Sequence, residues 1–168
     1  MVELRPATSL DHPFLEALYA SGRASEMANW GWPDAQCRQF AAMQYLARCR
    51  HYDAVHPGRE DSVILVDGTE AGLLSVARRP AGITIVDIAI LPEFQGRGVG
   101  GGLVRELQQE AARSGKTLGL HVLAENRAAE RLYQSLGFAC VADDGVYHRL
   151  EWRPETAQYL PSQEKQHV

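Results

Sequence analysis

Apolar positions along this chain recur with two spacings, and the changes between them mark out its elements. Val2 to Arg5 reads as a short strand ended by Pro6. Asp11 stands at an N-cap, and Phe14, Leu15 and Leu18 give the helix after it an apolar stripe. Ser21 to Pro33, with Trp30-Gly31-Trp32-Pro33, reads as a loop. A second helix is predicted from Asp34 to about Arg50, with Phe40, Met43, Leu46 and Ala47 inward. His51 to Asp61 is polar and irregular. Ser62 to Val66 and Ala71 to Ala77 read as strands joined at Asp67-Gly68, a dipeptide suited to the tight hairpin turn.

The strongest apolar run is Ile83 to Leu91, rich in β-branched residues, and it reads as a buried strand. Pro92 ends it, because proline cannot donate to a sheet ladder. Val99, Leu103, Val104, Leu107 and Ala111 then recur at helical spacing, predicting a helix from about Arg97 to Arg113 that Gly115 stops. Thr117 to Ala124 is a strand, parallel to the first by the right-handed crossover rule. Asn126 caps a helix ending near Gly137. Phe138–Ala142 and Val146–Trp152 are two last strands, turning at Asp144-Gly145. The order predicts an α/β (α+β) fold: a single mixed, mostly antiparallel central sheet of about seven strands with helices on both faces. It occupies one domain over residues 1–153, followed by a polar tail at 154–168.

Composition changes this picture little. A chain of 168 residues, 45% hydrophobic and 23% charged, is ordinary for a globular domain with a core of its own. Its net charge of −4 gives no reason to expect nucleic-acid binding. Cys37, Cys49 and Cys140 lack metal-type spacing and read as reduced thiols of a cytoplasmic protein; no metal site is expected. No apolar run approaches the roughly 18 residues that span a membrane, so no membrane partner is expected.

Candidate chemistry begins at Gln95-Gly96-Arg97-Gly98-Val99-Gly100, between the central strand and its helix. Glycines let backbone come close to a ligand, the first N–H groups of a helix have no internal partner, and the helix dipole is positive there. A diphosphate is the natural occupant. Gly96 to Gly101 matches GxGxxG, but the acidic residue of a dinucleotide site would fall near His121, and the chain has no room for the roughly five or six parallel strands of that domain. Gly115-Lys116-Thr117 carries the end of a P-loop, yet Glu110 stands where its first glycine belongs.

Gln95-x-x-Gly98-x-Gly100 after a strand resembles the acyl-CoA pyrophosphate loop of the GNAT superfamily of N-acyltransferases. About 26 residues on, Asn126-x-x-Ala129-x-x-Leu132-Tyr133 followed by Leu136-Gly137-Phe138 resembles that family's second motif. The resemblance covers roughly Arg5 to Trp152. It implies a sheet whose parallel central strands part at the cofactor site, with acetyl-CoA (coenzyme A) as the cofactor. Ile88, Ala89 and Ile90 would pair their backbone with the pantetheine amides as an added strand would. Gln95, Gly96, Arg97, Gly98, Val99 and Gly100 would hold the diphosphate, although Arg97 is equally a solvated arginine. Asn126 would bond the pantetheine arm as well as cap its helix. Tyr133, two helical turns on from Asn126, would carry the general-acid hydroxyl; the alternative is an aromatic packed beside Leu132 and Leu136.

Acyl transfer to an amine also needs a base, because a lysine-like amine has a pKa near 10.4. His121 lies in an apolar strand where some GNAT members carry a base, and imidazole titrates near neutrality; it is equally a structural histidine. Asp87 interrupts an apolar strand, where a carboxylate is costly unless paired or hydrated. The base role is expected at His121, with Asp87 orienting it if the two touch, or standing in for it. Trp30 and Trp32 either line an acceptor pocket or staple their loop to the core. The implied function is transfer of an acetyl group from acetyl-CoA to a primary amine, on a small molecule or a protein, by direct attack in a ternary complex. The alternative is a non-catalytic acyl-CoA-binding module. A homodimer is left open as its assembly.

Overall fold

The computed structural model describes residues 1–155. The tail expected over 154–168 lies almost wholly outside them. Among the described residues, seven strands form one sheet, ordered across it as the first, second, third, fourth, fifth, seventh and sixth along the chain. By packing, the chain divides into two units, residues 1–77 with 85–100, and residues 78–84 with 101 onward.

In the first unit, β1 (Val2–Pro6) runs antiparallel to β2 (Glu60–Val66), and β2 antiparallel to β3 (Thr69–Arg79). Asp67 (φ 50°) and Gly68 (φ 79°) turn β2 into β3, both in the left-handed region that this hairpin turn requires. β4 (Gly82–Ile90) ends in this unit, and its ladder to β3 reaches Leu91, whose N–H donates to Ala71 O at 2.8 Å. Gly72 makes that pairing possible. A Cβ placed there would lie 2.1 Å from Ala89 O. Two helices cover the strands, α1 (His12–Ala28) and α2 (Asp34–Val55). Leu18, Ala41, Tyr45, Val63, Ile64, Leu74 and Ile85 form the core.

Both helices run further than their sequence pattern predicts, leaving only 29–33 between them. Trp30, Trp32 and Phe40 close that short turn as three mutual edge-on contacts, with ring centroids 5.1 to 5.5 Å apart. The face of α2 also differs from expectation. Met43 is 64% exposed, Leu46 44% exposed, and Ala47 is exposed too. The inward row is Ala41, Tyr45, Arg48, Cys49 and Tyr52. Apolar residues lie on both sides of this helix, so spacing alone does not select a face. A half-buried arginine in the true row disguises it further.

Asp11 does not cap α1 through its side chain. Its carboxylate accepts from Arg5 at 2.8 and 3.0 Å and from the Thr8 N–H at 2.8 Å, while Thr8 Oγ1 accepts from Leu10 N. The capping box is thus built one turn earlier, on Thr8.

The second unit holds α3 (Val99–Ser114), β5 (Thr117–Leu123), α4 (Arg127–Ser135), β6 (Ala139–Asp143) and β7 (Tyr147–Trp152). The apolar face expected on α3 is buried at all five positions. β7 pairs antiparallel with β5 on one side and β6 on the other. Gly82 opens β4 and Thr117 opens β5; a Cβ on Gly82 would lie 2.9 Å from Thr117 Oγ1. The two strands therefore start from one end, as a parallel pair joined by a crossover helix must. The mixed sheet with helices is the one expected.

Candidate functional site

The glycine loop belongs to the first unit. β4 is followed by a single 3-10 turn, Pro92–Phe94, and then by residues 95–98 before α3. Gly96 and Gly98 have φ of 74° and 78°, a conformation that other residues rarely adopt. A Cβ on either would meet nothing within 4 Å, so the backbone is open to an approaching group. Gln95 Nε2 donates to Ile90 O at 2.8 Å and ties the loop to the strand end. Arg97 lies over the Phe94 ring, 5.3 Å from its centroid. No acidic residue occupies the first turn of α3. Backbone donors at a helix N-terminus with no opposing carboxylate in that turn fit a diphosphate.

Gly100 has a packing reason as well. Its Cβ position is 3.3 Å from Ile90 Cδ1 and 3.9 Å from Ile88 Cδ1, so a helix can approach the strand closely there. Ile88 and Ile90 therefore present their side chains toward Gly100. By strand alternation, Asp87 and Ala89 point to the opposite face, toward α1 and α2.

On that face is a cavity of about 60 Å³, space for several waters. Its polar lining is Asp87, Arg48, Asp61, Arg59, Ser75 and three tyrosines, Tyr19, Tyr45 and Tyr52. Arg48 Nη2 stands 2.9 Å from Asp87 Oδ1, and Arg48 Nε donates to Tyr52 Oη at 3.0 Å. The guanidinium also lies against two rings, 5.5 Å from the Tyr19 centroid and 5.2 Å from that of Tyr52. Burial pushes the Asp87 carboxyl above its ordinary range, against the pull of Arg48 and the Ile88 N–H. Arg59 Nε is 3.3 Å from Asp61 Oδ1, its Nη1 is 2.7 Å from Asp53, and Ser75 Oγ donates to Asp61. Burial also pushes the Tyr45 phenol up, so it stays neutral.

Arg48 is the residue that sequence reasoning missed. Its signal was Asp87 itself, since a carboxylate inside an apolar strand needs a cation nearby. Trp30 and Trp32 do not line the cavity; they hold the α1–α2 turn.

In the second unit, Asn126 Oδ1 accepts from Ala129 N at 3.2 Å, the cap expected of it. Tyr133 is buried and meets Phe138 edge-on, 5.5 Å between centroids. His121 is exposed on β5 opposite Arg149 of β7. Glu130 of α4 holds His148 Nδ1 at 2.9 Å, and Asp143 lies 3.3 Å from Nε2. The hydrogen bond to Glu130 raises the His148 pKa.

The FR47-like protein family matches residues 65–148, from β2 to β7 and through both glycine-loop and Asn126 motifs. The chain belongs to this family, within the GNAT superfamily of N-acyltransferases. Over 56 residues, 33% of its length, it is 45% identical to the ribosomal protein bS18-alanine N-acetyltransferase of Escherichia coli K12. Against the enzyme of that name from Salmonella typhimurium the identity is 48%. The matched segment spans only 38% of those curated relatives. Among solved structures, PaiA N-acetyltransferase of Thermoplasma acidophilum in complex with coenzyme A is similar with a TM-score of 0.67 and 16% identity. That match covers 91% of this chain and 99% of the other. N-acetyltransferase PseH of Campylobacter jejuni, in complex with acetyl coenzyme A, gives a TM-score of 0.57 at 16% identity, over 91% and 99%. At such identities the likeness is one of fold, and the fold is that of GNAT acetyltransferases. No helix among the described residues is long and apolar enough to cross a membrane.

Proposed function

We propose that this GNAT-family protein transfers an acetyl group from acetyl-CoA to a primary amine by direct attack in a ternary complex. The observation that carries the reading is the loop between β4 and α3, with Gly96 and Gly98 at positive φ and open above their Cα atoms. Acetyl-CoA supplies an activated thioester. Residues 95–100 hold its diphosphate through backbone N–H groups, and the backbone of Ile88, Ala89 and Ile90 holds the pantetheine arm. Asn126 adds a bond to that arm, and the Tyr133 hydroxyl supplies a proton to the leaving sulfur. The cavity between α1, α2 and β4 receives the acceptor. Its amine is deprotonated by His121 or Asp87, and Asp87 is favoured because its carboxylate lines the cavity.

Support for acetyl transfer comes from the family, from relatives named as N-acetyltransferases, and from folds solved with coenzyme A or acetyl-CoA. Calorimetry with acetyl-CoA on the wild type and Gly98→Val tests the loop. Valine puts a side chain where the diphosphate approaches, at a φ of 78° that it tolerates poorly. Acetyl-CoA affinity is expected to fall at least about tenfold in the folded variant, a loss of about 1.4 kcal/mol. Undiminished affinity would reject this site. Release of free thiol with an amine panel tests turnover.

A further inference from the structure

The cavity of the first unit carries information about its acceptor. Its four charged lining residues form two pairs, Arg48 with Asp87 and Arg59 with Asp61, so the lining has no net charge. A buried charge left without its partner costs several kcal/mol, so an occupant that competes for one member must also satisfy the other. A cation alone would draw Asp87 away from Arg48 and strand the guanidinium. An anion alone would do the reverse. A molecule bearing both an ammonium and a carboxylate a few atoms apart turns a neutral pair into a neutral set of four.

Three further observations give this occupant an orientation. Arg48 lies against both the Tyr19 and the Tyr52 ring, with Nε on Tyr52 Oη and Nη2 on Asp87. Its Nη1 has no hydrogen-bond acceptor among the described residues. A guanidinium anchored through Nε and Nη2 still offers Nη1 to a carboxylate. Asp87 adjoins Ile88, the start of the backbone assigned above to the pantetheine arm, so the amine belongs at the Asp87 end. We infer that the acceptor is a zwitterionic amino acid, its carboxylate read by Arg48 and its α-amine presented at Asp87.

This rests on the acetyltransferase reading above. The ammonium gives one proton to Asp87, which later releases it to water. The amine nitrogen bonds to the thioester carbonyl carbon as the carbon–sulfur bond breaks. The Tyr133 hydroxyl gives its proton to the leaving sulfur and regains one as the nitrogen sheds its second, giving an N-acetyl amino acid and the free thiol.

The test uses the full chain, acetyl-CoA and a thiol-release assay. Each amino acid is compared with its α-amide and with the amine lacking the carboxylate; spermidine and an alanyl peptide complete the panel. At least one amino acid is expected to exceed both of its analogues about tenfold or more in kcat/KM. Arg48→Lys keeps the charge paired with Asp87 and the fold, but loses the fork. It is expected to cut that preference to within about threefold, with the loss falling on KM. Equal use of an amino acid and its amide would overturn the inference, as would an undiminished preference in Arg48→Lys. Turnover of spermidine or the peptide alone would overturn it and leave the acetyltransferase reading standing. No acetyl-CoA binding and no turnover with any amine would remove both.

Discussion

Arg48 Nη2 and Asp87 Oδ1 meet at 2.9 Å between α2 and β4, and this pair organises the polar side of the cavity. Helix and strand each bring one charge that would be costly alone. Replacing Arg48 with leucine leaves Asp87 buried and unpaired, and is expected to cost about 3–5 kcal/mol of stability. Asp87→Asn removes the charge with its partner half exposed and is expected to cost less. Urea denaturation of the two variants checks the order; a smaller loss for Arg48→Leu would refute it.

The same pair bears on the base. Burial holds the Asp87 pKa above the usual carboxylate range, so the acidic limb of kcat/KM is expected above that range also. Asp87→Asn is expected to remove the limb and slow turnover, with acetyl-CoA affinity kept. His121→Gln is expected to keep it, because His121 is exposed on β5 opposite Arg149 of β7. Loss of the limb in His121→Gln, with Asp87→Asn active, would move the role to the imidazole.

Tyr133→Phe keeps the ring edge-on to Phe138 and removes the hydroxyl. The fold and acetyl-CoA binding are expected to survive. Turnover is expected to fall about 10 to 10³-fold, the lower end reflecting a thiolate that leaves well without help. Full activity with the true acceptor would make Tyr133 a packing residue.

Two glycines should respond in opposite directions. Gly72→Ala sets a methyl 2.1 Å from Ala89 O, backbone that cannot rotate away, so β3 and β4 must separate. A loss of about 3 kcal/mol is expected. Gly102→Ala in α3 meets nothing within 4 Å and gains helix propensity, worth up to about 1 kcal/mol. Thermal melts of both give the comparison, and a stable Gly72→Ala protein would contradict the β3–β4 geometry.

Acid should weaken the start of the chain in a defined window. Hydrogen bonds from Arg5, and then from Thr8, lower the Asp11 pKa to about 2, against about 3.9 unfolded. Its contribution is complete above the unfolded value and is lost as pH falls toward the folded one. Melting temperatures from pH 6 to pH 2 should therefore show wild type and Asp11→Asn converging below about pH 4. A constant gap across that range would count against the pairing.

The sheet was legible because its signals are local. Asp67-Gly68 demanded positive φ, and both residues have it. The α3 stripe from Val99 to Ala111 was also local and is buried throughout. The glycine loop could be read as a backbone feature, because Gly96 and Gly98 take a positive φ that other residues rarely adopt. The cavity could not be read in this way. It depends on which face of α2 turns inward, and Met43 and Leu46 argued for the wrong one. Only the long-range pairing of Arg48 with Asp87, across 39 positions of sequence (87 minus 48), settles that phase. Trp30 and Trp32 likewise found their partner, Phe40, within the helix that follows them.

The pairing of every cation in the cavity with a carboxylate also bears on the rate of encounter. Opposed charges a few ångströms apart cancel at distances beyond the Debye length, about 10 Å at 0.1 M salt. The cavity mouth thus offers an approaching acceptor no attractive field to follow. Capture should proceed at the pace of unguided diffusion, with an association rate nearly indifferent to ionic strength. For the proposed amino-acid acceptor, discrimination should then begin only at contact, where it would exchange its water for Arg48, Asp87 and the faces of the tyrosines.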